Sequence, residues 1–174
     1  MKLYVTGATG FVGSAVVAAA TARGHDVTAV VRPGSSATMA AAGSGPDTGS
    51  VTEARVDLRS QRGLAESLAG ADAVIHLAAA KEGDFYTQFA GTVVATENLL
   101  GAMADADVTN LVAISTFSVY EYLTTKPGTV ITEDSPLDAT PALRDEYAQT
   151  KLIQEELYRA VSYTHLTLPT TSRV

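Results

Sequence analysis

The chain has 174 residues, 46% of them hydrophobic and 18% charged, with a net charge of −7. That length suits one domain with a sizeable core, and an acidic chain without a basic run argues against nucleic acid or an anionic membrane as partner. Cysteine is absent and the three histidines are scattered, which excludes disulfides, thiolate chemistry and Cys-ligated metals and disfavours a histidine-rich metal centre.

No apolar stretch approaches the ~18 residues that a membrane span needs. The opening run Met1–Gly7 turns to glycine too early for a signal peptide. The expectation is a cytoplasmic protein with a small-molecule substrate and neither nucleic acid nor membrane as partner.

Lys2–Thr6 is a short β-rich run that stops at glycine. Phe11–Arg23 is Ala/Val-rich, long enough for a helix, and closed by Gly24. His25–Val31 reads as a second strand, and Arg55-Val56 ends a weak third one. Gly34–Ser50, rich in Gly, Ser, Ala and Thr, reads as a surface loop with a short helix at Ala37–Ala42. Gln61–Leu68 is a helix pattern, Ala73–Leu77 a fourth strand, Asp84–Ala104 a long helix and Leu111–Ser115 a fifth strand. Tyr122–Pro141 is a long proline-containing loop, and Asp145–Ala160 a final helix. Strands alternating with helices imply an α/β fold with a parallel sheet covered on both faces.

Thr6-Gly7-Ala8-Thr9-Gly10-Phe11-Val12-Gly13 sits between the first strand and the first helix. The first glycine permits the tight turn, the second lets the backbone approach a pyrophosphate, and the third lets helix and sheet pack closely. The helix N-terminus adds unpaired N–H groups and a partial positive charge. Tyr147 and Lys151 form a YxxxK pair whose i, i+4 spacing puts both side chains on one helical face. A tyrosine is a poor base near neutral pH, and a nearby ammonium stabilises its phenolate form.

TGATGFVG resembles the pattern of the extended short-chain dehydrogenase/reductases, the NAD(P)-dependent epimerase/dehydratase group. Further segments follow in family order: Val56-Asp57-Leu58-Arg59, Ile75-His76-Leu77-Ala78-Ala79 and the helix run Gly91–Leu100. The resemblance implies a Rossmann-type doubly wound sheet of order 3-2-1-4-5, truncated before a C-terminal substrate subdomain. It implies cofactor contacts at Gly7, Thr9, Gly10, Phe11, Val12 and Gly13, at Asp57 and Leu58 beside the adenine, at Leu77, Ala78 and Ala79, and at Tyr147 and Lys151.

The residue after the second strand is Arg32, where NAD-preferring members carry an acid. An arginine pairs with a 2′-phosphate, so NADP is expected as cofactor, with NAD as the alternative. The family triad falls on Thr116, Tyr147 and Lys151: Thr116 orients the substrate oxygen, Tyr147 exchanges the proton, and Lys151 tunes it and holds the nicotinamide ribose. Ser115 and Ser118 stand close enough for the first assignment to shift.

Phe117 and Ser118 replace the Asp-Glu of sugar-nucleotide dehydratases, which disfavours water elimination. Thr92 stands where many relatives have an asparagine that holds a water in the proton relay. His76 reads as a packed, hydrogen-bonded core residue rather than a ligand. The reading is an oxidoreductase acting at a carbinol or carbonyl carbon, a reductase or dehydrogenase. A sugar-nucleotide epimerase or a non-catalytic NADP-binding regulator are the alternatives. The two long helices resemble the pair through which relatives form homodimers.

Val161–Thr170 departs from both the preceding helix and the family, and it matches a translated transposase adapter used in shotgun sequencing. Residues 1–160 are therefore expected to be a natural but incomplete NAD(P)-binding domain. Residues 161–174 are expected to be a non-native tail of irregular chain.

Overall fold

In a computed structural model, residues 1–37, 39 and 47–162 are described. The strands are β1 Lys2–Thr6, β2 Asp26–Val31, β3 Val51–Arg55, β4 Ala73–His76 and β5 Leu111–Ala113. The helices are α1 Phe11–Thr21, α2 Leu64–Leu68, α3 Phe85–Phe89, α4 Ala95–Asp105 and α5 Glu146–Ser162. The five strands pair in the order β3-β2-β1-β4-β5, all parallel, which is the doubly wound order expected.

Alternation along the strands divides the core. Leu3 and Val5 of β1, Val27 and Ala29 of β2 and Ala73 of β4 pack with Val17 and Ala20 of α1. Tyr4, Val30, Val74 and Leu111 face the opposite way, onto Leu64 and Leu68 of α2, Leu99 and Met103 of α4 and Tyr158 of α5. These are largely continuous apolar runs, as a sheet covered on both faces demands. The α1 side is not covered at β5, where Val112 is 52% and Ile114 41% exposed. Among the described residues β5 is an edge strand. No helix among them is long and apolar enough to cross a membrane.

Three differences from the sequence reading stand out. The helix expected over Asp84–Ala104 is two α segments joined by a wide π turn, Ala90–Val94. Gly91 lies against Ala80, where a Cβ would come 2.7 Å from the alanine methyl, and Thr92 Oγ1 accepts the Ala80 N–H at 3.0 Å. The strand-to-helix segment thus docks onto the widened turn. Second, α5 continues to Ser162, and Val161 packs against the core cluster that contains Tyr158. Val161 follows Tyr158 by three residues and so shares its helix face; it does not begin an irregular tail. Residues 163–174 lie outside the described residues, as does most of the helix expected at Ala37–Ala42. Third, the helix expected from Gln61 starts at Leu64, after Gly63 in a left-handed conformation.

At Gly13 a Cβ would come 2.0 Å from the Gly7 carbonyl oxygen. We expect Gly13→Ala to lower the melting midpoint by about 5 °C or more, because backbone, not a flexible side chain, must move. Thermal unfolding followed by circular dichroism measures it, and Gly101→Ala on open α4 surface is the control.

Candidate active site

The glycine turn is built by close backbone contact. Gly7 has φ +66°, and a Cβ on it would meet Ala78 N at 2.8 Å. The Gly10 N–H donates to Gly7 O at 3.0 Å, and Gly10 leads into α1 without any side chain capping the helix. Thr9, Phe11 and Val12 are exposed around that end, Phe11 at 95%. An open helix N-terminus, glycines where side chains would intrude, and exposed neighbours fit a dinucleotide pyrophosphate.

The other expected contacts follow the C-terminal ends of the parallel strands. Leu77, Ala78 and Ala79 follow β4, and the Leu77 and Ala78 N–H groups each donate to Thr6 Oγ1 at 3.2 Å. Asp57 and Leu58 form a turn after β3, tied to α4 by Asn98 Nδ2 donating to Leu58 O at 2.9 Å. The Arg59 guanidinium donates to Asp57 and holds its carboxyl below the usual carboxylate range. Arg32 is exposed directly after Val31, at the same end of the sheet.

Thr116 and Tyr147 line one cleft of about 520 Å³, together with Lys81, Gln88, Asp145 and Glu146. Thr116 caps the 3-10 turn Phe117–Val119, its hydroxyl oxygen accepting the Ser118 N–H at 3.3 Å. Ser115 borders a second cleft of about 580 Å³ that includes Thr116 but not Tyr147. Asp145 Oδ1 accepts the Ala148 N–H at 2.7 Å and starts α5, which fixes where Tyr147 emerges. Lys151 lies beneath, 2% exposed, its ammonium donating to Ile114 O at 2.9 Å and to Gln154 Oε1. Burial pushes its pKa down to about 8.

Sequence reasoning missed the clamp on this cleft. Arg144, three residues before Tyr147, is buried and pairs with buried Asp138 at 2.5 Å. It also donates to Ser118 O at 2.9 Å and Tyr120 O at 3.2 Å, and its guanidinium lies 4.4 Å from the Tyr122 ring centre. One side chain thereby joins the Thr116 turn, the long loop and the start of α5. Nothing in the spacing of Asp138 and Arg144 marks them; only their position before YxxxK does.

Residues 3–173 match the NAD dependent epimerase/dehydratase family. The chain belongs to that family. A 4-hydroxy-2-methyl-3-oxo-4-farnesyl-3,4-dihydroquinoline-1-oxide ketoreductase from Stigmatella aurantiaca is 31% identical over 163 residues, 90% of this chain and 45% of that protein. Among solved structures, MoeE5 in complex with UDP-glucuronic acid and NAD has a TM-score of 0.77 at 31% identity, covering 97% of this chain and 52% of that one. A UDP-glucose-4-epimerase from Stenotrophomonas maltophila with bound NAD and formylated UDP-arabinopyranose has a TM-score of 0.77 at 26% identity, covering 97% and 51%. The chain thus spans about half the length of these relatives. Both of these solved structures hold NAD.

Beneath the site runs a buried polar chain whose proton positions follow from counting. Thr6 Oγ1 accepts from Leu77 and Ala78, so its own hydrogen goes to His76 Nδ1 at 2.6 Å. His76 is then the neutral Nε2–H tautomer and donates to Thr96 Oγ1 at 3.0 Å. Thr96 donates to Thr92 O at 2.6 Å and also accepts from Gln154 Nε2 at 2.7 Å. A second proton on His76 would have no acceptor, and burial together with the Lys151 charge pushes its pKa down to about 3.

The unfolded chain therefore binds this proton near pH 6.5 and the folded one only near 3. Stability is full above the unfolded value and falls with pH below it, by up to about 1.4 kcal/mol per unit. We expect urea midpoints between pH 4 and 6 to fall more steeply with acidification in the parent than in His76→Gln, by close to one proton. Parallel slopes would mean that His76 does not titrate on unfolding.

Proposed function

We propose that this chain is the cofactor-binding half of an NADP-dependent reductase or dehydrogenase that acts at a carbonyl or carbinol carbon. Bound nicotinamide supplies or accepts the hydride. Thr116 hydrogen-bonds the substrate oxygen and opposes its developing charge. Tyr147 exchanges the proton at that oxygen, and the Lys151 ammonium stabilises the phenolate and holds the cofactor ribose. The observation that carries this reading is the shared cleft: Thr116 and Tyr147 face one cavity, with a buried cationic lysine one turn along α5. The second cleft supports Thr116 over Ser115, since Ser115 does not reach the cavity that Tyr147 lines.

NADP over NAD rests on Arg32. A charge-assisted pair with a 2′-phosphate is worth about 1.5–3 kcal/mol, enough for a preference of tenfold or more. A second reading, an NAD-dependent sugar-nucleotide epimerase, is supported by the nucleotide sugars and NAD present in two of the similar structures. A role as a non-catalytic regulator is disfavoured by the retained Tyr147–Lys151 pair.

Fluorescence titration of the full-length protein is expected to give NADPH affinity at least tenfold above NADH, reversed in Arg32→Asp. Equal affinities in the parent would favour the epimerase reading. Tyr147→Phe is expected to leave cofactor affinity within a factor of about three and to lower turnover by roughly a hundredfold or more. An active Tyr147→Phe enzyme with an unchanged pH profile would assign proton transfer to another group. Thr116→Val should be impaired and Ser115→Ala should not.

A further inference from the structure

Lys151 is buried, yet among the described residues no carboxylate pairs with it. Its two inward partners are both neutral oxygens, the Ile114 carbonyl and the Gln154 side-chain amide. An ammonium has three N–H donors. Two are therefore taken by these oxygens, and one is left over.

Gln154 cannot turn away from this contact at low cost. It is 1% exposed, three residues along α5 from Lys151. Its amide nitrogen donates to Thr96 Oγ1 at 2.7 Å. Flipping the amide would set an NH2 group against the ammonium and a carbonyl against a threonine oxygen whose hydrogen already goes to Thr92 O. Both contacts would then be lost between side chains that are almost wholly buried. Thr96 is in turn fixed by His76, and His76 by Thr6 at the mouth of the glycine turn.

We propose that Gln154 is a positioning residue: its amide oxygen fixes the rotation of the Lys151 ammonium so that a single N–H faces the cleft, and the Thr96–His76–Thr6 chain anchors that amide to the strand that carries the glycine turn. This rests on the reading that Lys151 holds the cofactor ribose. A neutral acceptor suits the task. It aligns the ammonium without a second charge that would compete with phenolate or ribose for it. The groups that bear on the Lys151 charge are Glu155 from its own helix, which favours it, and Lys81 beyond β4, which opposes it. His76 on β4 is neutral and feels the Lys151 charge in turn.

The test reads Lys151 directly. The chain has four lysines, so 13Cε-lysine NMR resolves each, with Lys151→Met assigning the signal. In Gln154→Glu a carboxylate replaces the neutral acceptor, and the Lys151 titration midpoint is expected to rise by about one pH unit or more. In Gln154→Met, which keeps volume but offers no such acceptor, the midpoint is expected to fall by about half a pH unit or more. Amide NMR dispersion checks that each variant folds, and either variant alone is informative. A midpoint equal to the parent's in a folded variant would overturn the proposal. Cofactor titration of Lys151→Met is read separately. Unchanged affinity there would remove the ribose-holding role of Lys151 while leaving the Gln154 result standing.

Discussion

The approach of α1 to the sheet is what the rest of the structure depends on. Gly13 packs so tightly onto the turn that a methyl would sit 2.0 Å from Gly7 O, and Gly7 itself abuts Ala78 beyond β4. Three segments distant in sequence, the ends of β1 and β4 and the start of α1, are thereby held at backbone contact distance. That contact leaves the first turn of α1 open and aimed outward, and it places Leu77–Ala79 along the same edge. A side chain at either glycine would separate elements that must converge for a pyrophosphate to be held by backbone N–H groups.

The polar chain beneath the turn obeys a different constraint. Six buried groups, from Thr6 to Lys151, would each cost free energy if left unpaired. Their donors and acceptors match in only one arrangement, with His76 neutral and the Gln154 amide pointing one way. A network satisfied in one arrangement is stiff, and stiffness under a site holds reacting groups in register. Arg144 does the corresponding work on the open side, where one guanidinium spans Asp138, Ser118 O and Tyr120 O.

Local signals were readable wherever the physics is local. β1 was legible to the residue because a β-branched run ends at a glycine that must adopt positive φ. The strand order followed from the resemblance carried by the glycine turn. The π turn at Ala90–Val94 was not legible, because it answers to Ala80, ten residues away across a loop. Gln154 and Arg144 carry no motif. Each also depends on partners far away in sequence, Tyr120 O for Arg144 and Thr96 for Gln154, which spacing along one helix does not reveal. The end of α5 was misjudged for the opposite reason. Composition changes at Val161, but its apolar side chain still falls on the core-facing stripe, and packing decided.

The occupied inner contacts also bear on how a proton would leave the proposed site. Thr92, in the place of the family asparagine, spends its hydroxyl oxygen on Ala80 N–H and its carbonyl on Thr96. Lys151 spends two donors on Ile114 O and Gln154. His76, with its pKa near 3, does not take up a proton at neutral pH. The inward chain ends in backbone groups and is already saturated, so it aligns charge and does not conduct it. On the proposed chemistry, a proton exchanged at Tyr147 is therefore not relayed through this inward chain. The same residues that make the lysine rigid therefore leave it one N–H donor for the chemistry proposed above.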